Sequence, residues 1–441
     1  MTVPLWRNRE FVLLEAGRLL SSAGNQISFI AYPLLVLAVT GSPAKAGLVS
    51  FARLLPSLLF GLLAGVAADR YDRRKLMLAA DAVRALALGT LAAAILADAL
   101  PFWLIPVAAF VQGTGSVVFR AAEAGALKAV VPRAQLPAAI STIETRLSAV
   151  QLIGPPLGGA LFGLGRAVPF VADTISYAFS LLSLALMRTP FQEERERDPT
   201  PLRTQVAEGF RFLWREPFVR TSTFLYGIGN FSIPGMILVL IVVAERHGLT
   251  SAQVGLLMAV FGAGTLLGAL ASPLLRLALP VRTIMLLEFW SGLGAAAYLI
   301  IPSVWVLLAA LTIQGITLPV TNSVVDSYRL AIIPDRLLGR VETVAGQIGL
   351  AIAPLGPLVA GVLLSSTSPR VTVACFLVFS ASLVVWGMLS PALKNAPDVR
   401  NLDVYADTAC NAAVTGRLET EARAQNWPGS GKEKPPQSEG F

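Results

Sequence analysis

GVAADRYDRRK, Gly65 to Lys75, is a charged turn with almost no spare residues between two apolar runs, near residues 44 to 66 and 76 to 97. Each run is about the length that an α-helix needs to cross roughly 30 Å of hydrocarbon. The segment therefore reads as the tight connection of a membrane hairpin. Asp69 and Asp72 stand where they can cap a helix N-terminus or pair with Arg70, Arg73 and Arg74, and Gly65 stands where helices can pack closely.

The same pattern extends in both directions. Further apolar runs lie near residues 11 to 39, 102 to 122, 138 to 162, 168 to 187, 221 to 243, 254 to 275, 281 to 301, 303 to 325, 343 to 364 and 371 to 390, which makes twelve. Arg120, Glu123, Lys128 and Arg133 blur the boundary between the fourth and fifth. With 55% apolar and 14% charged residues in 441, the chain is too apolar for a soluble protein of its size. The first run is too long for a signal-peptide core and reads as a retained helix. The fold expected is an all-α integral membrane protein.

Charge placement gives the orientation. With the N-terminus in the cytoplasm, the loops on that side receive Arg70, Arg73, Arg74, Lys75, Lys128, Arg133 and the arginines of the segment from Arg188 to Arg220. The opposite loops receive Lys45, Arg166, Arg246 and Arg370. Loops that retain Lys and Arg stay cytoplasmic, so both termini are expected inside. The net charge of +8 is dispersed over these short loops, and a nucleic-acid surface is excluded.

The segment 188 to 220 divides the spans into two sets of six, residues 1–187 and 221–391. Within it, Leu202, Val206, Phe210, Leu213 and Trp214 share one helical face opposite Arg203, Glu208, Arg211 and Arg215. Such a helix lies along the membrane interface or packs on the cytoplasmic end of the bundle. The two sets repeat each other. At an offset of 208, Gly47 matches Gly255, Arg74 matches Arg282 and Met77 matches Met285. At 202, Gln112 matches Gln314, Pro132 matches Pro334, Pro155 matches Pro357 and Gly159 matches Gly361. An even number of spans per repeat keeps both halves in the same orientation, related by an axis along the membrane normal. Residues 392–441 turn polar and are expected to be disordered.

The spacing Gly-x-x-x-Asp-Arg-x-x-Arg-Arg in the first turn resembles the signature loop of the major facilitator superfamily. The resemblance implies twelve helices as two pseudo-symmetric six-helix bundles, with Gly65, Asp69, Arg70, Arg73 and Arg74 forming a latch between the halves in the outward-open state. The second-half copy, SPLLRLALPVR, keeps only Arg276 and Arg282. GPPLGG in the fifth run, with Gly154, Pro155, Gly158 and Gly159, resembles the antiporter signature of drug and metabolite exporters. Read from the residues alone, it is a tightly packed helix kinked or loosened by its prolines. The run from Gly17 to Gly61 resembles the branch of macrolide and siderophore (enterobactin-type) exporters. Asn25 follows Gly24 where that branch often carries an acidic residue.

Charged side chains in lipid cost about 2 to 3 kcal/mol each on insertion scales and so turn to the bundle interior. In the first run Glu15, Arg18, Ser22 and Asn25 share a face, and in the fourth Gln112, Ser116, Arg120 and Glu123 do. The seventh offers Tyr226 and Asn230, and the tenth Gln314, Asn322 and Asp326. The resemblance makes these four helices the lining of a central path. The uncharged members serve equally well as helix-to-helix hydrogen bonds. Asp81 and Arg84 read as an i, i+3 structural pair. Arg53 binds an anionic group or a helix end.

No phosphate-binding GxxxxGK[ST] loop occurs, and GAGTLLG, Gly262 to Gly268, lies inside an apolar run where helix packing explains it. His247 is the single histidine, and Cys375 and Cys410 form neither a disulfide framework nor a metal site. No catalytic set, cofactor or metal is expected. The reading is a monomeric secondary transporter of the bacterial inner membrane, exporting a small organic substrate such as a drug, macrolide or siderophore against protons. Glu15, Glu123 and Asp326 are the candidate proton carriers. A nutrient importer of the same fold and a non-transporting sensor or scaffold are the alternatives.

Overall fold

A computed structural model of the chain describes residues 4–189, 191 and 202–396. Inside hydrocarbon each backbone N–H and C=O must find its partner within the protein, which leaves helices as the natural solution for these runs. Among the described residues twelve spans are long and apolar enough to cross a membrane. The first six are α1 (Arg9–Thr40), α2 (Pro43–Arg70), α3 (Arg73–Leu96), α4 (Leu104–Val130), α5 (Leu136–Leu164) and α6 (Val168–Leu186). The linker helix α7 (Leu202–Arg215) follows.

The second set is less regular. Its first span is broken into α8 (Pro217–Gly229) and α9 (Ser232–Arg246), and its second is the continuous α10 (Ser251–Ala278). The third is α11 (Val281–Gly292) with a 3-10 turn and α12 (Ala297–Ile300), and the fourth is α13 (Val304–Ile332). The fifth is broken into α14 (Asp335–Leu350) and α15 (Leu355–Ser366), and the sixth is α16 (Pro369–Leu389), followed by the short α17 (Pro391–Lys394). Pro234 and Pro354 follow two of these breaks, where proline lacks a donor and its ring crowds the preceding turn. The breaks answer each other, since Asn230 Nδ2 donates to Gly349 O at 2.8 Å.

Several boundaries move from those expected. The fourth span runs on to Val130, and Glu123 in this extension is accommodated by pairing with Arg18 of α1. Expected disorder from residue 392 does not hold for its first residues. Pro391–Lys394 form a helical turn, with Leu393 buried against Phe218 and Ile284. The rest of the tail, 397–441 with Cys410, lies outside the described residues, as do Arg195 and Arg197 of the linker.

Packing repeats between the halves. In the first, α1 contacts α5 and α6, α2 contacts α4, and α3 contacts α4 and α6. In the second, α9 contacts α15 and α16, α10 contacts α13, and α11 contacts α13 and α16. Across the halves α2 packs on α15 and α10 on α5, related by the same exchange. The linker helix packs on α14 and α8. Leu213 is fully buried among Val219, Val341 and Val344, and Glu208 pairs with Arg340. Phe210 and Trp214, stacked at 5.7 Å, stay exposed on its other side. Of the two descriptions of this helix, the contacts show the one in which it packs on the end of the bundle.

Candidate transport path

The halves meet at the end of the bundle that carries the α1–α2 turn. A Cβ on Gly47 of α2 would stand 3.1 Å from Gly361 Cα of α15, and one on Gly159 of α5 would stand 3.0 Å from Gly255 Cα of α10. Ala44 N donates to Ser365 Oγ at 2.8 Å beside the first crossing. Glycine lets the backbones touch, as small residues do wherever membrane helices cross closely. These are the four glycines of the sequence repeat, paired across it.

Towards the other end the halves part. Gly61 still faces Gln347 of α14, but nothing lies within 4 Å of a Cβ on Gly65. The close packing expected of Gly65 is therefore absent in this conformation, because α2 has diverged from the second half there. Asp69 is 75% exposed and reaches only Arg73 of its own turn, at 3.6 Å. Asp72 caps α3, accepting from Lys75 N at 3.1 Å. Arg73 donates to Ala68 O and Phe191 O, and Arg74 donates to Leu184 O and Ala185 O at the end of α6. Arg70 is exposed. The five residues of the turn are thus split between three that hold the first half together and an Asp69–Arg70 pair left facing outward.

The stripes of the first and fourth spans contact each other. Arg18 Nε donates to Glu123 Oε1 at 2.5 Å with its guanidinium over the Phe119 ring, and Asn25 Nδ2 donates to Ser116 Oγ at 3.4 Å. Arg146 of α5 completes the group, 3.3 Å from Glu15 and 3.7 Å from Glu123. Two carboxylates and two guanidiniums, all largely buried, thus form a neutral cluster between α1, α4 and α5. Charges removed from water persist only when paired in this way. Sequence reasoning missed Arg146, although its charge within the fifth apolar run was the available signal. Arg120 is exposed.

Gln112 is fully buried and turned away from this face. Its amide donates to Asp173 at 2.8 Å and to Tyr177 at 3.2 Å on α6. Ser28 and Ser176 also donate to Asp173, so this carboxylate is a hub tying α1, α4 and α6. Asp81 and Arg84 are a fully buried ion pair, as expected from their spacing. Arg53 donates to both oxygens of Asn25, at 3.0 and 3.1 Å.

In the second half Tyr226 donates to Met285 O at 3.0 Å, which commits its hydroxyl to α11, and Asn230 is committed to α14 as described. Gln314 is buried beside Gly292. Asn322 and Asp326 are exposed, about three and two turns before the end of α13. Arg329, on the same side, reaches Glu342 of α14 and Thr223 of α8. In GPPLGG, Gly154 and Gly158 pack on Gln26 and Ile27 of α1 while Gly159 meets Gly255. The helix stays continuous through Pro155 and Pro156. Gly264 and Gly268 of GAGTLLG pack on α13, which is the helix-packing role read from the sequence. Among the described residues no group of three or more His, Cys, Asp or Glu could hold a metal.

Two sets of six spans closing on repeated glycines carry a transporter fold, and the sequence matches the family described as transmembrane secretion effector over residues 2–412. The chain belongs to this family of major facilitator transporters. It is 27% identical to the multidrug efflux pump Tap of Mycolicibacterium fortuitum over 410 residues, covering 89% of this chain and 97% of that one. It is 22% identical to macrolide efflux protein A of Streptococcus pyogenes over 400 residues, covering 87% and 96%. The crystal structure of a D-xylose–proton symporter superposes with a TM-score of 0.69 at 12% identity, covering 90% and 99%. The chain is thus a multi-pass membrane protein that transports small molecules, and not an enzyme.

Proposed function

We propose that this major facilitator transporter is a proton-coupled exporter of small organic molecules, working by alternating access in a bacterial plasma membrane with both termini in the cytoplasm. One observation carries the reading. The halves touch backbone to backbone at the α1–α2 end and diverge beyond Gly61 at the other, which is one of the two states that alternating access requires. The basic loops at the open end support a cytoplasmic placement of it, which makes this state inward-facing.

Export is supported by near full-length similarity to two efflux proteins and by the exporter-like GPPLGG of α5. Residues 1–187 and 221–391 act as the two rocking bodies, with 188–220 as their tether. Asp69 and Arg70 make no contact with the second half in this state and engage it when the cytoplasmic end closes. In the charge cluster, protonating Glu15 or Glu123 leaves Arg146 or Arg18 short of a counter-charge. A change of that kind at the interface of α1, α4 and α5 biases the bundle between its states. Asp326 is the corresponding carboxylate of α13. The substrate is a drug-like, macrolide-like or siderophore-like molecule.

Inside-out vesicles carrying the chain test this. An imposed acidic interior is expected to drive accumulation of a macrolide or dye, and a protonophore is expected to abolish it. Transport that survives the protonophore, or that persists in Glu15→Gln, Glu123→Gln and Asp326→Asn alike, refutes proton coupling through these groups. Greater accumulation of substrate in intact cells on expression would make the chain an importer.

A further inference from the structure

At the sealed end of the gap lies a cavity of about 30 Å³ lined from α1, α2, α9 and α15, and so shared by both halves. Phe29, Leu54, Ile237 and Pro357 give it an apolar wall, and Tyr32 and Arg53 bring polar atoms to it. Space of this size takes a carboxylate or a water or two, not a whole drug molecule.

Ser50 also lines it, but its hydroxyl is committed to Ala46 O at 3.0 Å, whereas Tyr32 and Arg53 are both incompletely engaged. Tyr32 is 1% exposed, its ring is held edge-on to Phe170 at 5.2 Å, and its hydroxyl has no hydrogen-bond partner. Buried hydroxyls nearly always have one, so an orphan O–H at a cavity marks a place where an acceptor binds. The Arg53 guanidinium lies over the Phe29 ring at 5.2 Å, and its Nη2 donates to Asn25 O and Oδ1. That anchorage fixes the fork while Nε and Nη1 make no hydrogen bond among the described residues. The carboxylate that acts on both groups is Asp173, which already accepts from Ser28, Ser176 and Gln112 in the first half. What the cavity lacks is an acceptor between a preorganised cation and an O–H. A planar fork with free N–H groups suits a carboxylate better than any neutral group.

We propose that Arg53 and Tyr32 form an anchoring subsite for a carboxylate on the transported molecule, so that the chain selects acidic or zwitterionic organic compounds. The molecule's acidic head seats at the closed apex of the gap, and its bulk extends towards the open end. The proposal deepens the exporter reading and rests on it for the direction of transport alone.

Rhodamine 110 and its methyl ester, rhodamine 123, share one ring system and differ in a free carboxyl. Their binding to the full chain in nanodiscs of phosphatidylcholine, which carry no net charge, is read by fluorescence anisotropy at neutral pH. The free acid is expected to bind at least about ten-fold more tightly, which is about 1.4 kcal/mol. Arg53→Gln should bring the ratio close to one with binding of the ester little changed, and Arg53→Lys should leave an intermediate ratio. Tyr32→Phe should weaken the acid alone, by a few-fold. Equal binding of acid and ester by the unaltered chain, no binding of either, or a ratio that survives Arg53→Gln overturns the subsite. The exporter reading fails separately, by the absence of pH-driven uptake in vesicles.

Discussion

Gly47 and Gly361 sit so close that a Cβ on the first would meet the Cα of the second at 3.1 Å, and Gly159 repeats the contact with Gly255 at 3.0 Å. Gly47 matches Gly255 in the sequence repeat and Gly159 matches Gly361, so one duplicated crossing is used twice to seal one end of the molecule.

Side chains at these crossings should unseal it. Overpacking costs about 1 to 3 kcal/mol, enough to shift a two-state population roughly five- to a hundred-fold. Gly159→Val and Gly361→Val are expected to lower the yield of an Ala44→Cys/Ser365→Cys cross-link, in a Cys375→Ser/Cys410→Ser background, and to slow transport. Unchanged cross-linking would show that the crossing does not hold the closed end.

Arg146 should matter more to stability than either carboxylate it serves. Its removal leaves Glu15 and part of Glu123 buried without a counter-charge, which typically costs about 3 kcal/mol or more. Arg146→Met is therefore expected to lower the melting temperature in detergent more than Glu15→Gln does, and the double variant should recover part of the loss. Simple additivity of the two would deny the coupling.

Asp69→Asn separates the two states. Asp69 is three-quarters exposed here, and surface changes usually fall within about 0.5 kcal/mol. The melting temperature should stay put while the transport rate falls. A drop in both would assign Asp69 a structural role instead.

The two faces of α7 should respond differently. Leu213→Ala empties a fully buried site against α14 and is expected to cost about 2 to 5 kcal/mol. Trp214→Ser, on the exposed face, should leave thermal stability nearly unchanged and weaken protection of the linker by lipid in a protease assay. Equal effects would mean that the helix has only one working face.

Thiol labelling checks the topology. Cysteines placed one at a time at Ser42 and Tyr71, again without Cys375 and Cys410, should react with a membrane-impermeant reagent from opposite sides of the membrane. Labelling of both from one side would contradict the hairpin read from Gly65 to Lys75.

Much of the architecture was legible before any coordinates. The twelve spans, the hairpin at Gly65 to Lys75, the two-fold repeat and the facing stripes of α1 and α4 follow from residue order. Each is a property of about twenty consecutive residues, or of a spacing within them, and lipid forces such runs into helices. Gln112 shows where that reasoning stops. The spacing groups it with Ser116 and Glu123 on one stripe, yet its side chain meets Asp173 of α6.

What the tertiary structure alone decided is which side chains meet across helices. Arg146 joins Glu15 to Glu123, Arg74 is committed to the end of α6, Asp69 reaches only Arg73 of its own turn, and the repeated glycines pair with each other's counterparts. A hydropathy run fixes that a helix spans the bilayer but not its rotation or tilt. Those are set by close contacts between segments up to three hundred residues apart, as between Gly47 and Gly361.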